Sequence, residues 1–467
     1  MLDTFPKQIA NRGIYLYVGA LTLVTAFYFR HSMDTLFIIM GLVWVTGFFL
    51  LTRYCTIKWR DFAEKRIMLY LFFTALLLRV IWVFISYNFY YERTGMPFEF
   101  DAGDAIWYYE ESVNNISTSW KDIWNYLFVE AATVSDSGYV LYLTLLHKIV
   151  GPSIIWIRLI NSVFSSLTCV LVYLLAKRNI GRDGARIAAI FCCFMPNMVF
   201  YCGLHLKESV MLFLLTAFLE RTDYLLRSRK YNVITIATPI VLALILFTFR
   251  TVLGAAAVFS VATALVFTNT TIVGNKKRFM LIGWGLLAVT MLAGGTIMSE
   301  IENTWENRFE NQTAKRAFQS SKGNQWAQYA TGTVMAPMMF VLPFPTMVDV
   351  DRQYNQQMLH GGNFVRNFLG GFVLIAMFNA LFITKNWRNL TLIGSFVVAY
   401  LGIISLSGFA NSERFLLPGL PVLLIMAASG VNQLDAKSYR FIKIWYWVVP
   451  VMSIAWAVFK LGSRGML

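Results

Sequence analysis

Charge is scarce in this sequence. Only 14% of its 467 residues are Asp, Glu, Lys or Arg, against roughly 25% in a soluble domain. That shortage excludes an ordinary soluble enzyme. It also excludes a disordered chain, which needs high charge and low hydrophobicity. Cysteine is sparse as well: Cys55, Cys169, Cys192, Cys193 and Cys202 are the five. Their odd number and their spacing exclude a disulfide framework and a zinc motif. Cys192-Cys193 reads as a pair of small apolar core residues. The four histidines, His31, His147, His205 and His360, are widely separated and form no HxxH pair. No internal repeat and no low-complexity linker is present, so the chain reads as one domain over 1–467.

Apolar residues are abundant instead, at 57% of the chain. A membrane-crossing helix takes about 20 of them, so the chain holds material for on the order of a dozen crossings. The apolar runs are 14–30, 35–51, 67–88, 153–176, 185–202, 208–220, 232–249, 251–268, 279–297, 362–384, 389–408, 414–430 and 444–461. The fold expected is therefore all-α and polytopic, with about 13 transmembrane helices. The polar N-terminus, MLDTFPKQIANRG, runs into the first span without a small-residue cleavage site. It reads as a retained span and not as a cleaved signal.

The net charge of +15 suggests nucleic acid in a soluble protein. In a membrane protein it follows from basic cytoplasmic loops. With the N-terminus inside, more than half of the 40 basic residues fall in short inner segments. Examples are Arg53 to Arg66, Lys177 to Arg186, Arg221 to Lys230 and Lys276 to Arg278. No nucleic-acid partner is needed. Two long loops then face outward, 89–152 and 298–361. The second contains an apolar piece, 331–347, whose PFP end argues against a straight span, and it reads as re-entrant or interfacial.

The loop 89–152 carries three basic residues against nine acids and is rich in aromatics. Residues 104–116 have helical spacing, with Ile106, Tyr109, Val113 and Ile116 on one face. Residues 139–150 are an amphipathic run too short to span. Both read as helices lying in the outer interface. Asp101 and Asp104 sit in FDAGDAIWYYEE. At a helix start a spacing of three places two side chains on one face, and paired carboxylates raise one pKa toward that of a general base. The alternative is that Asp104 caps a helix and Asp101 is solvated.

This loop resembles the GT-C class of membrane glycosyltransferases, nearest the protein O-mannosyltransferase and lipid A aminoarabinose transferase branch. There an Asp, alone or paired with another acid, opens the first outer interfacial helix, with a Tyr three or four residues on. The matching residues are Asp104 and Tyr108 in GDAIWYYEES. Further on the resemblance continues through Arg158 at a span start, Gly181 in a basic inner turn, Pro196 within a span and Glu208 opening the next. Near the C-terminus, NSERFLLPGLPVLLIMAASG supplies Arg414, Pro418 and Pro421. The likeness covers roughly 100–220 and 405–430. Two spans, where the family usually has one, precede the helix leading into the loop, and Asp-x-x-Asp replaces an adjacent acid pair.

The resemblance implies transfer of a sugar from a polyprenyl-phosphate or polyprenyl-diphosphate donor at the outer face, with inversion. It implies a glycan, lipid or protein acceptor, a groove for the lipid, and a multi-pass protein of the bacterial inner membrane. No cofactor is expected; some members of the class use a divalent metal, but no metal ligands are assigned. Such chemistry requires a carboxylate base and cations for the phosphate. Asp104 is the candidate base, with Asp101 as its partner. Lys207, Arg250 and Arg414 stand at outer ends of spans and are candidate phosphate ligands, as is Arg158; each could instead snorkel to headgroups. Glu208, His205 and Tyr108 are supporting candidates. Arg79, in the middle of a span, is expected to pair with an acid in the bundle. Two other readings stay open: an O-antigen-type polymerase or ligase, and a lipid-linked sugar transporter.

Overall fold

The computed structural model describes residues 2–130, 134–228, 232–267, 344–350, 353–406, 413–462 and 465–466. The expected span 279–297 and all but the last four residues of 331–347 lie outside them, as does most of 298–361. Among the described residues all regular structure is helical. The principal helices are α1 (Lys7–Phe27), α2 (Thr35–Lys58), α3 (Glu64–Thr94), α4 (Gly103–Asn114), α5 (Trp120–Trp124), α6 (Ser137–Val150), α7 (Ile154–Phe194), α8 (Pro196–Cys202) and α9 (Glu208–Arg227). They continue with α10 (Val233–Phe249), α11 (Thr251–Phe267), α12 (Tyr354–Met358), α13 (His360–Phe378), α14 (Thr391–Leu406), α15 (Glu413–Leu416), α16 (Leu420–Asn432) and α17 (Ala436–Gly462). Seven helical stretches are long and apolar enough to cross a membrane, and α10 and α11 are shorter apolar helices. The chain is a multi-pass, all-α membrane protein.

The expected span 153–176 and the first part of 185–202 lie in the 41-residue stretch α7, and the rest of 185–202 forms α8. The chain bends at Gly181, whose φ of 81° and ψ of 175° lie where only glycine is comfortable. Ser165 and Cys169 before the bend and Cys192 and Cys193 after it all reach Arg79. The stretch is therefore two helices that meet at Gly181, the second running back along the first. At its far end it stops before Pro196, which has no N–H and cannot serve the Cys192 carbonyl.

Arg79, on α3, takes up those free carbonyls. Its guanidinium donates to Cys193 O at 3.2 Å, Cys192 O at 3.4 Å, Ala75 O at 3.2 Å and Ser165 Oγ at 2.8 Å. Among the described residues no acidic side chain pairs with it. A helix broken inside a membrane must have its carbonyls satisfied by protein, and the arginine fork does so from a neighbouring helix. Arg79→Leu is expected to orphan these carbonyls at about 1–3 kcal/mol each. Thermal unfolding in detergent checks this; an unchanged midpoint contradicts the capping role.

Helix α16 is the innermost: together with α15 it forms a stretch that is 94% buried. It meets α13 closely because Gly430 has no Cβ. A methyl there would come within 2.0 Å of the Phe372 carbonyl oxygen. All five cysteines are free and buried.

Ion pairs show which helix ends lie together. Arg178 binds Glu220 at 2.8 Å and Asp223 at 2.7 Å, Lys177 binds Glu64 at 2.6 Å, and Arg186 donates to the Arg60 carbonyl at 2.7 Å. These residues form one end of the bundle, rich in basic side chains. The opposite end carries α4, α6 and the start of α9.

The first loop folds differently from its expected face. Helix α4 buries Ala105, Tyr108 and Ser112, one position away from the apolar set Ile106, Tyr109 and Val113. Small Ala105 and Ser112 let α4 approach α6, and the Tyr108 ring packs edge-on against Tyr139 at 5.0 Å. Asp101 and Asp104 do not share a helical face. The helix begins only at Gly103, and Asp101 precedes it with a φ of 53°. Nor does Asp104 cap the helix: the capping position is Ala102.

Candidate active site

Asp104 stands in the first turn of α4 with its side chain 63% exposed. Its carboxylate pairs with the guanidinium of Arg414, which lies on α15, 310 residues away in sequence. The same guanidinium donates through Nε to Glu208. Arg414 thus bridges two carboxylates, one open to solvent and one fully buried. Glu208 is the first residue of α9, where the helix dipole favours a negative charge. Arg250 approaches the same Glu208 oxygen at 3.5 Å.

Each cation is held by more than its acid. Arg250 is the residue joining α10 to α11. It donates to Tyr400 Oη at 3.2 Å and lies 4.7 Å from the centre of the Phe415 ring. Tyr400 in turn donates to the Phe415 carbonyl at 2.8 Å, fixing the segment that carries Arg414. Lys207 donates to the Phe249 carbonyl at 2.8 Å and pairs with Asp136. The cluster therefore holds three cations, Arg414, Arg250 and Lys207, against three carboxylates, Asp104, Glu208 and Asp136. It is close to neutral as it stands.

Behind the cluster lies a second polar layer. Arg158 is fully buried and donates to the Pro97 carbonyl. Its Nε and other terminal nitrogen have no hydrogen-bond partner among the described residues, nor has Glu99 Oε2. His205 is fully buried, its two ring nitrogens likewise unpartnered. It stacks parallel to His147 with ring centres 6.5 Å apart, and Tyr109 meets both rings edge-on. His147 is anchored by a 3.1 Å hydrogen bond to Ser112. Arg158 and His205 are thus beneath the cluster and not paired within it. Asp101 stays outside: no side-chain hydrogen bond or ion pair joins it to another described residue.

Burial pushes the Glu99 carboxyl up to about 7 from an ordinary 4.5, outweighing the pull of Arg158 and Arg414. The folded protein then keeps a proton that the unfolded chain releases first. Stability from this group is full below pH 4.5 and falls as pH rises toward 7. The span corresponds to about 3 kcal/mol. Glu99→Gln is expected to flatten the pH dependence of the unfolding midpoint across this window; an unaltered slope contradicts a neutral Glu99.

Glu99, Asp136 and Tyr400 did not stand out in the sequence. The cluster cations that Asp136 and Tyr400 meet, Lys207 and Arg250, are distant in the chain, and no local motif marks any of the three. Among the described residues no three His, Cys, Asp or Glu side chains gather as a metal site. Asp104 and Glu208 are both engaged by the Arg414 guanidinium.

No protein-family model matches the chain, and no curated protein matches it. Among solved structures, the archaeal oligosaccharyltransferase AglB from Archaeoglobus fulgidus, in complex with an inhibitory peptide and a dolichol-phosphate, is similar at a TM-score of 0.47 and 13% identity. The match covers 87% of this chain and 56% of that one, so the chain spans about half of that protein's length. A likeness this distant carries no argument about activity.

Proposed function

We propose that the chain transfers a sugar from a polyprenyl-phosphate-linked donor to a hydroxyl of a glycan, lipid or protein acceptor, with inversion. The observation that carries this reading is the Arg414 bridge between exposed Asp104 and buried Glu208, with Arg250 and Lys207 beside it. A carboxylate open to solvent and a fixed set of cations are the two things such a transfer requires. The site faces outward on this reading, since the opposite end of the bundle gathers the basic residues expected in the cytoplasm. The protein then belongs to a bacterial inner membrane with its N-terminus inside, and the helices of 89–152 form the outer wall of the site.

The charge count suggests how the parts cooperate. The acceptor oxygen attacks the anomeric carbon and the bond from that carbon to the phosphate oxygen breaks. Asp104 receives the acceptor proton and becomes neutral. Its claim on Arg414 lapses as the departing polyprenyl phosphate gains a negative charge. Arg414 then turns from carboxylate to phosphate, helped by Arg250 and Lys207, while Glu208 keeps the guanidinium in place. The donor phosphate and Asp104 thus compete for one cation, which passes to the phosphate as Asp104 takes the proton.

The test is transfer of labelled sugar by the purified protein from a panel of polyprenyl-phosphate and polyprenyl-diphosphate donors to glycan, lipid and protein acceptors. Product that needs both donor and acceptor supports the reading. Donor binding without turnover moves it to a transporter. Turnover only with long repeat units moves it to a polymerase.

A further inference from the structure

A polar cleft, open to solvent, lies on the same loop, away from the arginine cluster. It has a volume of about 350 Å³ and is lined by Glu111, Asn115, Thr118, Asp122, Asn125 and Tyr126. Its walls are the last turn of α4, helix α5 and the π-helical stretch Asn125–Glu130; π-turns recur at functional sites. Those walls are braced. Lys148 donates to the carbonyls of Ile116 at 2.8 Å and Thr118 at 2.7 Å, and lies 4.9 Å from the centre of the Trp120 ring. Ser119 donates to Asp122 at 2.6 Å, fixing that carboxylate.

One lining side chain is incomplete. Asn115 is only 8% exposed, and its amide nitrogen has no hydrogen-bond partner among the described residues. A buried, unused amide donor costs free energy unless something in the cleft accepts from it.

The lining chemistry narrows the occupant. Two carboxylates accept hydrogen bonds, two amides donate and accept, a hydroxyl does both, and the half-exposed Tyr126 offers a ring face. Alternating acceptors and donors beside an aromatic face match the hydroxyls and apolar face of a pyranose. They repel an anion. A hard cation such as calcium wants six to eight oxygens, and among the described residues no third acid, His or Cys joins Glu111 and Asp122. The volume falls at the lower end of ligand pockets, roughly 300–1,000 Å³.

We propose that this cleft is a saccharide subsite that takes a neutral or amine-bearing sugar. Asp104 and Glu111 lie on the same helix, about 10 Å apart along its axis at 1.5 Å per residue. A short glycan reaches from one to the other. On the transfer reading the ring held here belongs to the acceptor; binding itself does not depend on that reading.

The experiment uses the full chain in detergent, without donor. Methyl glycosides of a neutral hexose, an amino-hexose and a uronic acid are titrated against wild type, Asn115→Ala and the double variant Glu111→Gln/Asp122→Asn, with unfolding midpoints measured in parallel. Wild type is expected to bind the first two glycosides and to prefer both over the uronic acid. The double variant, with an unchanged midpoint, is expected to bind the amino-hexose at least about ten-fold more weakly, since charge-assisted hydrogen bonds are lost. Three outcomes overturn the proposal: no glycoside binding by wild type, binding indifferent to all three substitutions, or a calcium titration that saturates this cleft. Because no donor is present, failure here leaves the transfer assay standing, and failure of transfer leaves this result standing.

Discussion

Asp104→Asn is expected to lower the rate of sugar transfer by about 10²–10⁴-fold, the range of a lost general base, while the protein folds as before. The side chain is mostly in solvent, so its removal costs the bundle little. The amide still fits the space and still meets Arg414 through its oxygen, but it cannot take a proton. The loss belongs in kcat, with donor binding unchanged or tighter, because the amide competes less for Arg414 than the carboxylate did. Asp101→Asn is the control, since Asp101 stands off the helix and outside the cluster. If Asp104→Asn keeps its transfer rate, the base is another acid and the proposed proton path is wrong.

Arg414→Leu is the second large effect, and it acts on two quantities at once. It removes the partner of a fully buried carboxylate, leaving Glu208 with Arg250 at 3.5 Å. Breaking a buried pair by deleting one member costs about 3–5 kcal/mol. The variant should therefore unfold at a lower temperature and lose transfer together. The double variant Arg414→Leu/Glu208→Gln separates the two. It is expected to recover part of the stability, because the buried carboxylate is gone and Arg250 keeps its hydrogen bond to Tyr400, and none of the transfer. Arg414→Lys keeps the charge but cannot fork between two carboxylates. It should fold and show a raised donor KM. Donor affinity untouched in both Arg414→Lys and the double variant would remove Arg414 from the phosphate site.

Much of this was legible in the sequence, and the parts that were not share a cause. The helices could be read because apolar runs and basic turns are local patterns. The bend at Gly181 could be read because glycine among basic residues marks an inner turn. Asp104 could be singled out because its loop is acidic and amphipathic. What fixes Asp104, however, is Arg414, 310 residues away, and no periodicity links the two. His147 and His205 looked isolated in sequence yet stack in space. The spacing argument for Asp101 failed on a boundary: the helix starts two residues later than an Asp-x-x-Asp face requires. Arg79 was expected to meet an acid because buried charges are usually paired. Its partners are backbone carbonyls set free by a proline, which no side-chain pattern displays.

That last arrangement bears on how the protein is made. Arg79 is synthesised 114 residues before the Cys193 carbonyl it caps. At about 5–20 residues per second, the ribosome takes on the order of ten seconds to deliver the broken helix. During that interval α3 carries a guanidinium whose partners beyond the Ala75 carbonyl do not yet exist. It must wait where water or the insertion machinery can solvate it, at the edge of the bilayer and not in its final position. The segment from Ile154 onward would then draw it in, so that the membrane insertion of α3 is completed by a stretch whose far end leaves the ribosome 114 residues later.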